Sequence, residues 1–184
     1  MPPALREHHN KNGSQIMTLS MYQASVPVFT RMLTNLAACL TKAEADATTR
    51  GIATDVFMAA RLAPDMLPLP RQVQIACDSA KRGIANLAGV EAPVFPDTET
   101  TFPELQERIA KTQAFLATIE AAKIDGTEDR DVTLKMPSRE VHFKGQTFLM
   151  FFTLPNFFFH LTSAYAILRH NGVALGKMDY LGGV

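Results

Sequence analysis

A chain of 184 residues that is 47% apolar and 20% charged is long enough to bury a sizeable core and far from the composition of a disordered segment. Its 18 basic and 18 acidic residues balance, and no basic run occurs, so a nucleic-acid partner has nothing to bind. Cys39 and Cys77 lie in apolar helical patterns without CxxC spacing, which predicts reduced core thiols in a cytoplasmic protein.

Residues 1–16 contain Pro2, Pro3, Asn10, Asn12 and Gly13 and no apolar run. They do not read as a signal peptide and are expected to form a disordered extension carrying His8 and His9. A single domain is expected over 17–184, beginning near Met17-Thr18. The first helix is predicted from Ser20 to about Ala45, with Val28, Phe29, Met32, Leu33, Leu36 and Leu40 as its apolar stripe and Pro27 near its start. A short helix over Asp55 to Arg61, capped by Thr54, is followed by a connector that Pro64, Pro68 and Pro70 keep from being helical. Pro70 suits the first turn of a second long helix, striped by Val73, Ala76, Cys77, Ala80, Ile84 and Leu87 and closed at Gly89.

After a loop from Ala92 to Thr100, Thr101 and Glu104 make a capping box that opens a third helix running to about Lys123. From Asp131 to Lys144 the period changes to two: Val132, Leu134 and Met136 alternate with polar residues, as do Val141 and Phe143. That pattern predicts a β-hairpin turning at Pro137-Ser138. The fourth helix is predicted from Gln146 to His170, with a kink at Pro155, a stop at Asn171-Gly172 and an irregular tail beyond. The expected fold is all-α, a four-helix bundle with a short β-hairpin inserted between helices three and four.

The stretch Phe148 to Leu168 has no formal charge over roughly six helical turns. Its length matches a membrane span, but Pro155, Asn156 and His160 near its middle favour the core helix of a soluble bundle, with no membrane partner. Thr153, Asn156, His160 and Ser163 recur in it at spacings of 3, 4 and 3, so they share one face. A buried polar face is either a satisfied network or a site. Asn156 and His160, four apart, are either polar core residues satisfied by each other, by Tyr165 or by water, or part of a site. His170 reads as a helix cap, His142 as outward-facing, and Asp78 as a surface or groove acceptor four residues after Gln74.

The run Asn156-Phe157-Phe158-Phe159-His160, followed by Leu168-Arg169-His170-Asn171-Gly172, resembles the last helix of the DinB/YfiT-like superfamily. Pro64-Asp65-Met66, Arg71-Gln72-Val73-Gln74, the run from Asp97 to Phe102, and Gly176-Lys177 with Asp179 and Leu181-Gly182 extend the likeness. They make the chain similar to a domain-of-unknown-function family within that superfamily, over about Met17 to Gly182. The resemblance implies a bundle, commonly a homodimer, holding a divalent metal such as zinc or nickel on three histidines and acting as a thiol-dependent transferase or isomerase. Carried over, His160 keeps the last ligand position, Asn156 stands where the other helix-four histidine belongs, and Gln74 stands at the helix-two place. By helical angle Gln74 lies roughly 110° from the centre of its stripe, on the flank of the helix.

Three readings follow. One is a small-molecule pocket of Gln74, Asp78, Asn156, His160 and Ser163, with His160 as candidate acid–base residue and a degenerate metal triad. A second is a metalloenzyme whose shell is completed by water or Asp78. A third is a structural homodimer whose polar seam sets helix register.

Overall fold

The computed structural model describes residues 19–136 and 139–183. The expected extension 1–16 with His8 and His9, the start at Met17-Thr18 and the turn at Pro137-Ser138 lie outside the described residues.

Helix α1 spans Val26–Arg50, α2 Thr54–Ala59, α3 Leu69–Ala88 and α4 Phe102–Ala117. Strands β1 (Asp131–Met136) and β2 (Arg139–Lys144) form an antiparallel hairpin in which Asp131 faces Lys144 and Val132 faces Phe143. The last long helix runs without a break from α5 (Gly145–Phe148) through a π-helical stretch, Leu149–Thr153, into α6 (Leu154–His170). A final turn, α7, spans Lys177–Leu181. Helices α1, α3, α4 and α5–α6 make the bundle, the hairpin sits between α4 and α5, and α6 packs most extensively on α3. Buried apolar residues from all four, including Phe29, Leu33, Val73, Cys77, Leu105, Ile109, Phe157 and Leu161, form one contiguous core.

The ends of elements differ from the expectation for local reasons. α1 begins at Val26 and not Ser20, because the Pro27 ring would collide with the carbonyl four residues back and so belongs in a first turn. It continues to Arg50 because no breaker intervenes before Gly51, whose φ of 65° provides a left-handed cap. Thr54 is the first helical residue of α2 and makes no capping bond. α2 stops at Ala59, where Ala60 turns extended and its carbonyl accepts the Leu69 amide, 3.0 Å away.

α4 has the Thr101–Glu104 capping box but ends at Ala117, not Lys123. The Thr118 hydroxyl donates to the Phe115 carbonyl over 2.7 Å, competing with the helical ladder. Ile119 and Ile124 still reach the core from the connection that follows, which includes a 3₁₀ turn at Ala121–Lys123. Pro155, expected to kink the last helix, follows the π-helical stretch: wider turns shift the carbonyls that its ring and missing N–H would otherwise disturb. The tail is helical at α7, tied down by an Asp179–Lys42 ion pair and by Asn35 donating to the Tyr180 carbonyl over 3.0 Å.

The segment Gly145–His170 is long and apolar enough to cross a membrane by length and composition. Here it is a member of the bundle, with Phe157, Leu161, Ala164, Ile167 and Leu168 in the core.

Candidate functional site

Between α3, the hairpin and the π-helical stretch lies a cavity of about 390 Å³. α3 supplies Gln74, Asp78, Ser79 and Asn86 to its wall, with Arg71 and Arg82 as its cations. The hairpin adds Leu134 and Lys135, and the last helix adds Phe148, Phe152, Thr153 and Asn156. The aromatic side is stiff, because Phe148 and Phe152 stack with ring centroids 5.8 Å apart and Phe143 packs 5.6 Å from Phe152. Thr153 comes close because α3 offers Gly83 opposite it: a Cβ there would collide with the Thr153 methyl. The Thr153 hydroxyl is buried and has no hydrogen-bond partner among the described residues.

Three members of the polar seam expected on the last helix, Thr153, Asn156 and His160, meet α3, but the seam does not gather at one place. Asn156 lines the cavity and donates to the Ser79 hydroxyl over 2.7 Å. His160 lies outside the lining and meets Gln72 instead, with Nδ1 2.7 Å from Oε1. Since the Gln72 amide donates to the Leu67 carbonyl over 2.9 Å, its oxygen faces His160, and the imidazole donates from Nδ1. Ser163 is buried and borders a separate apolar groove with Leu62, Met66, Phe158 and Phe159. The sequence-derived grouping therefore splits, with Gln74, Asp78 and Asn156 together and His160 and Ser163 elsewhere.

Gln74, expected on the flank of its helix, is only 2% exposed, because the segment carrying Asp97 and Glu99 crosses over it. Its oxygen accepts from Arg71 over 2.7 Å and its amide donates to Glu99 over 2.8 Å. Asp78 is likewise held, by Lys81, Arg82 and Arg108, each at 3.0 Å.

These contacts decide the metal question on donor chemistry. Gln74 has committed its oxygen to Arg71, Asp78 is shared by three cations, and His160 is not part of the cavity wall. Among the described residues no three His, Cys, Asp or Glu side chains converge. Two amides beside arginines make a poor shell for zinc or nickel, so the residues at the superfamily's ligand positions do not fit such a metal.

Sequence reasoning missed the deepest charges. Arg108 on α4 and Lys81 on α3 have side chains only 1% exposed. Arg108 binds Asp78 at 3.0 Å, Asp97 at 2.9 Å and Glu99 at 3.0 Å, while Lys81 also lies 4.0 Å from the centre of the Phe95 ring. Burial works against the Arg108 charge, yet the Glu99 hydrogen bond and the charges of Glu99 and Asp78 outweigh it and hold its pKa above the ordinary value. For Asp97, burial opposes ionisation, but Arg71 and Arg108 hold the carboxyl below its usual range. The signal was available: Lys81 is four residues after Cys77 and Arg108 three after Leu105, both at core spacing. Burial pushes the thiols up, Cys39 to about 11 and Cys77 to about 12, so both are protonated at neutral pH.

Burial also pushes the His160 imidazole below its usual value, which gives a pH test. The folded state then prefers neutral His160, so the unfolded chain binds the extra proton first as pH falls. Its contribution is complete above about pH 6.5 and is lost as pH drops through that value toward the lowered folded one. Urea melts from pH 7.5 to 5 should show a shallower loss of stability for His160→Gln than for the wild type. His160→Ala should cost about 1–2 kcal/mol at pH 7.5, since it strands the buried Gln72 oxygen.

Comparison with known proteins agrees with this architecture. A crystal structure of a DinB family member protein from Shewanella denitrificans is similar to this chain at 42% sequence identity and a TM-score of 0.82. The match covers 89% of this chain and 92% of that one. No curated protein matches. Residues 21–181 match the model of a domain of unknown function (DUF1993). The chain therefore belongs to the DUF1993 family, with the helical fold of a DinB family member.

Proposed function

We propose that this protein binds a small organic molecule, without a metal, in the cavity between α3, the hairpin and the π-helical stretch. The observation that carries the reading is the makeup of that cavity. About 390 Å³ falls within the range of small-molecule sites, and a few polar groups on α3 and Asn156 converge over an aromatic wall. The π-helical stretch adds weight, since such stretches occur often at functional sites and this one brings Phe152 and Thr153 to the wall. His160 acts at one remove, bracing α6 on α3 through Gln72. Cys39 and Cys77 are free thiols, in keeping with a cytoplasmic location.

A second reading, homodimerisation, is favoured by the outer face of the last helix. Phe151 is 78% exposed and Phe159 56%, and Phe159 lines the apolar groove that Leu62 and Met66 complete. The two readings are compatible, because the groove and the cavity share no lining residue.

One set of amide NMR spectra tests both. A fragment library should give hits whose shift changes cluster on Ile75, Ser79, Asn86, Leu134 and Phe152, while the tumbling time reports a dimer. Hits confined to the Phe158–Phe159 groove, or no hits, would refute the binding site. Monomer tumbling at millimolar concentration would refute the dimer.

A further inference from the structure

The ion-pair network in and behind the cavity wall is short of one negative charge. Arg71, Lys81, Arg82 and Arg108 share three carboxylates, Asp78, Asp97 and Glu99. Asp78 alone serves three of the four cations. The two buried cations are bound tightly from within, so the surplus appears at the cavity mouth. There Arg82, its side chain 68% exposed, has Asp78 as its sole ion partner among the described residues. A guanidinium has five N–H donors, and the others remain available to an incoming anion in its forked geometry. Lys135, on the same lining, has among the described residues only a 4.0 Å approach to Glu140.

We propose that the cavity selects a small organic monoanion, a carboxylate on an aromatic or branched aliphatic body, with its charged end on Arg82 and its body against Phe148, Phe152 and Leu134. The proposal rests on the reading of this cavity as a ligand site and adds the chemical class. The bound carboxylate supplies the fourth anion that the network lacks. A cationic ligand would meet only carboxylates already shared among arginines and Lys81. A neutral ligand would leave Arg82 as it is. The Asn156 side chain, which lines the cavity, is the group that meets the polar atoms of such a ligand on its inner side.

Three naphthalene probes of one shape separate the possibilities: 2-naphthoate, 2-naphthamide and 2-naphthylmethylammonium, titrated calorimetrically into the full chain and into Arg82→Gln. The exposed position of Arg82 makes the variant compatible with folding, and an unchanged melting temperature verifies this. The expected result is naphthoate binding at least tenfold tighter than the amide and weakening with added salt. Arg82→Gln should abolish most of that preference while leaving the amide affinity in place. Equal affinities, or tightest binding of the ammonium probe, would overturn the anion class and leave the cavity as a ligand site. Naphthoate binding undiminished in Arg82→Gln would overturn the assigned anchor. No binding of any probe would count against the class and the site together.

Discussion

Arg108→Met should lower the unfolding free energy by about 3 kcal/mol, at the low end of the cost of breaking a buried ion pair. For a chain of this length that is a fall in melting temperature of about 10 °C. The substitution keeps the apolar bulk on α4 but removes the donor for three carboxylates and for the Pro96 carbonyl, 3.1 Å away. Asp97 keeps Arg71 and is 40% exposed, and Asp78 keeps Lys81 and Arg82. Glu99 suffers most, because it is 11% exposed and, among the described residues, retains only the Gln74 amide. Adding Glu99→Gln should therefore recover about 1 kcal/mol or more in a double-mutant cycle. Arg108→Lys should recover little, since one ammonium cannot fork among three acceptors. Urea denaturation with unchanged m-values is the measurement, and a loss under 1 kcal/mol for Arg108→Met would mean the network is not what joins α3, α4 and the segment carrying Asp97 and Glu99.

The second large effect is expected from one methyl group. In Gly145→Ala the added Cβ would fall well inside contact distance of the Thr127 backbone oxygen. That oxygen cannot move aside easily. It accepts the Arg130 amide at 3.1 Å, and the adjacent Glu128 carbonyl accepts the Gln146 amide at 2.9 Å. The collision is with backbone rather than with a flexible side chain, so a cost of about 2–3 kcal/mol is expected. Gly176→Ala is the control, since only the Asp179 carboxylate lies near, at 3.8 Å; it should stay within about 0.5 kcal/mol of wild type. Equal melting temperatures for the two variants would refute the close approach of the start of α5 to the loop before the hairpin, which positions the wall of the cavity.

Part of the candidate site was legible in the chain. Thr153, Asn156, His160 and Ser163 announce themselves by helical spacing, and the first three do face α3. Spacing specifies a face, however, and not a neighbour. Along α6 the surroundings change every turn: cavity at Asn156, Gln72 at His160, apolar groove at Ser163. The resemblance aligned Gln74 with Asn156 and His160, but Gln74 joins only Asn156 at the cavity, because Gln72 takes His160. Two residues along a helix amount to a rotation of roughly 200°, which sends two glutamines to different neighbours.

What the sequence determined by itself is local. Periodicity placed the four long helices and the hairpin, the Thr101–Glu104 box opened α4, and Gly51 and Gly89 closed α1 and α3. These depend on residues within a few positions of one another, whose backbone preferences and apolar spacing suffice to specify them. The tertiary structure alone decided which charges share the cavity. It set Arg108 on α4 beside Asp78 on α3, covered Gln74 with Glu99, and brought the hairpin's Lys135 to a wall made by helices. A buried ion network and the surplus of charge behind it arise only where distant segments meet in a medium that screens them poorly, and no local rule along the chain encodes that meeting.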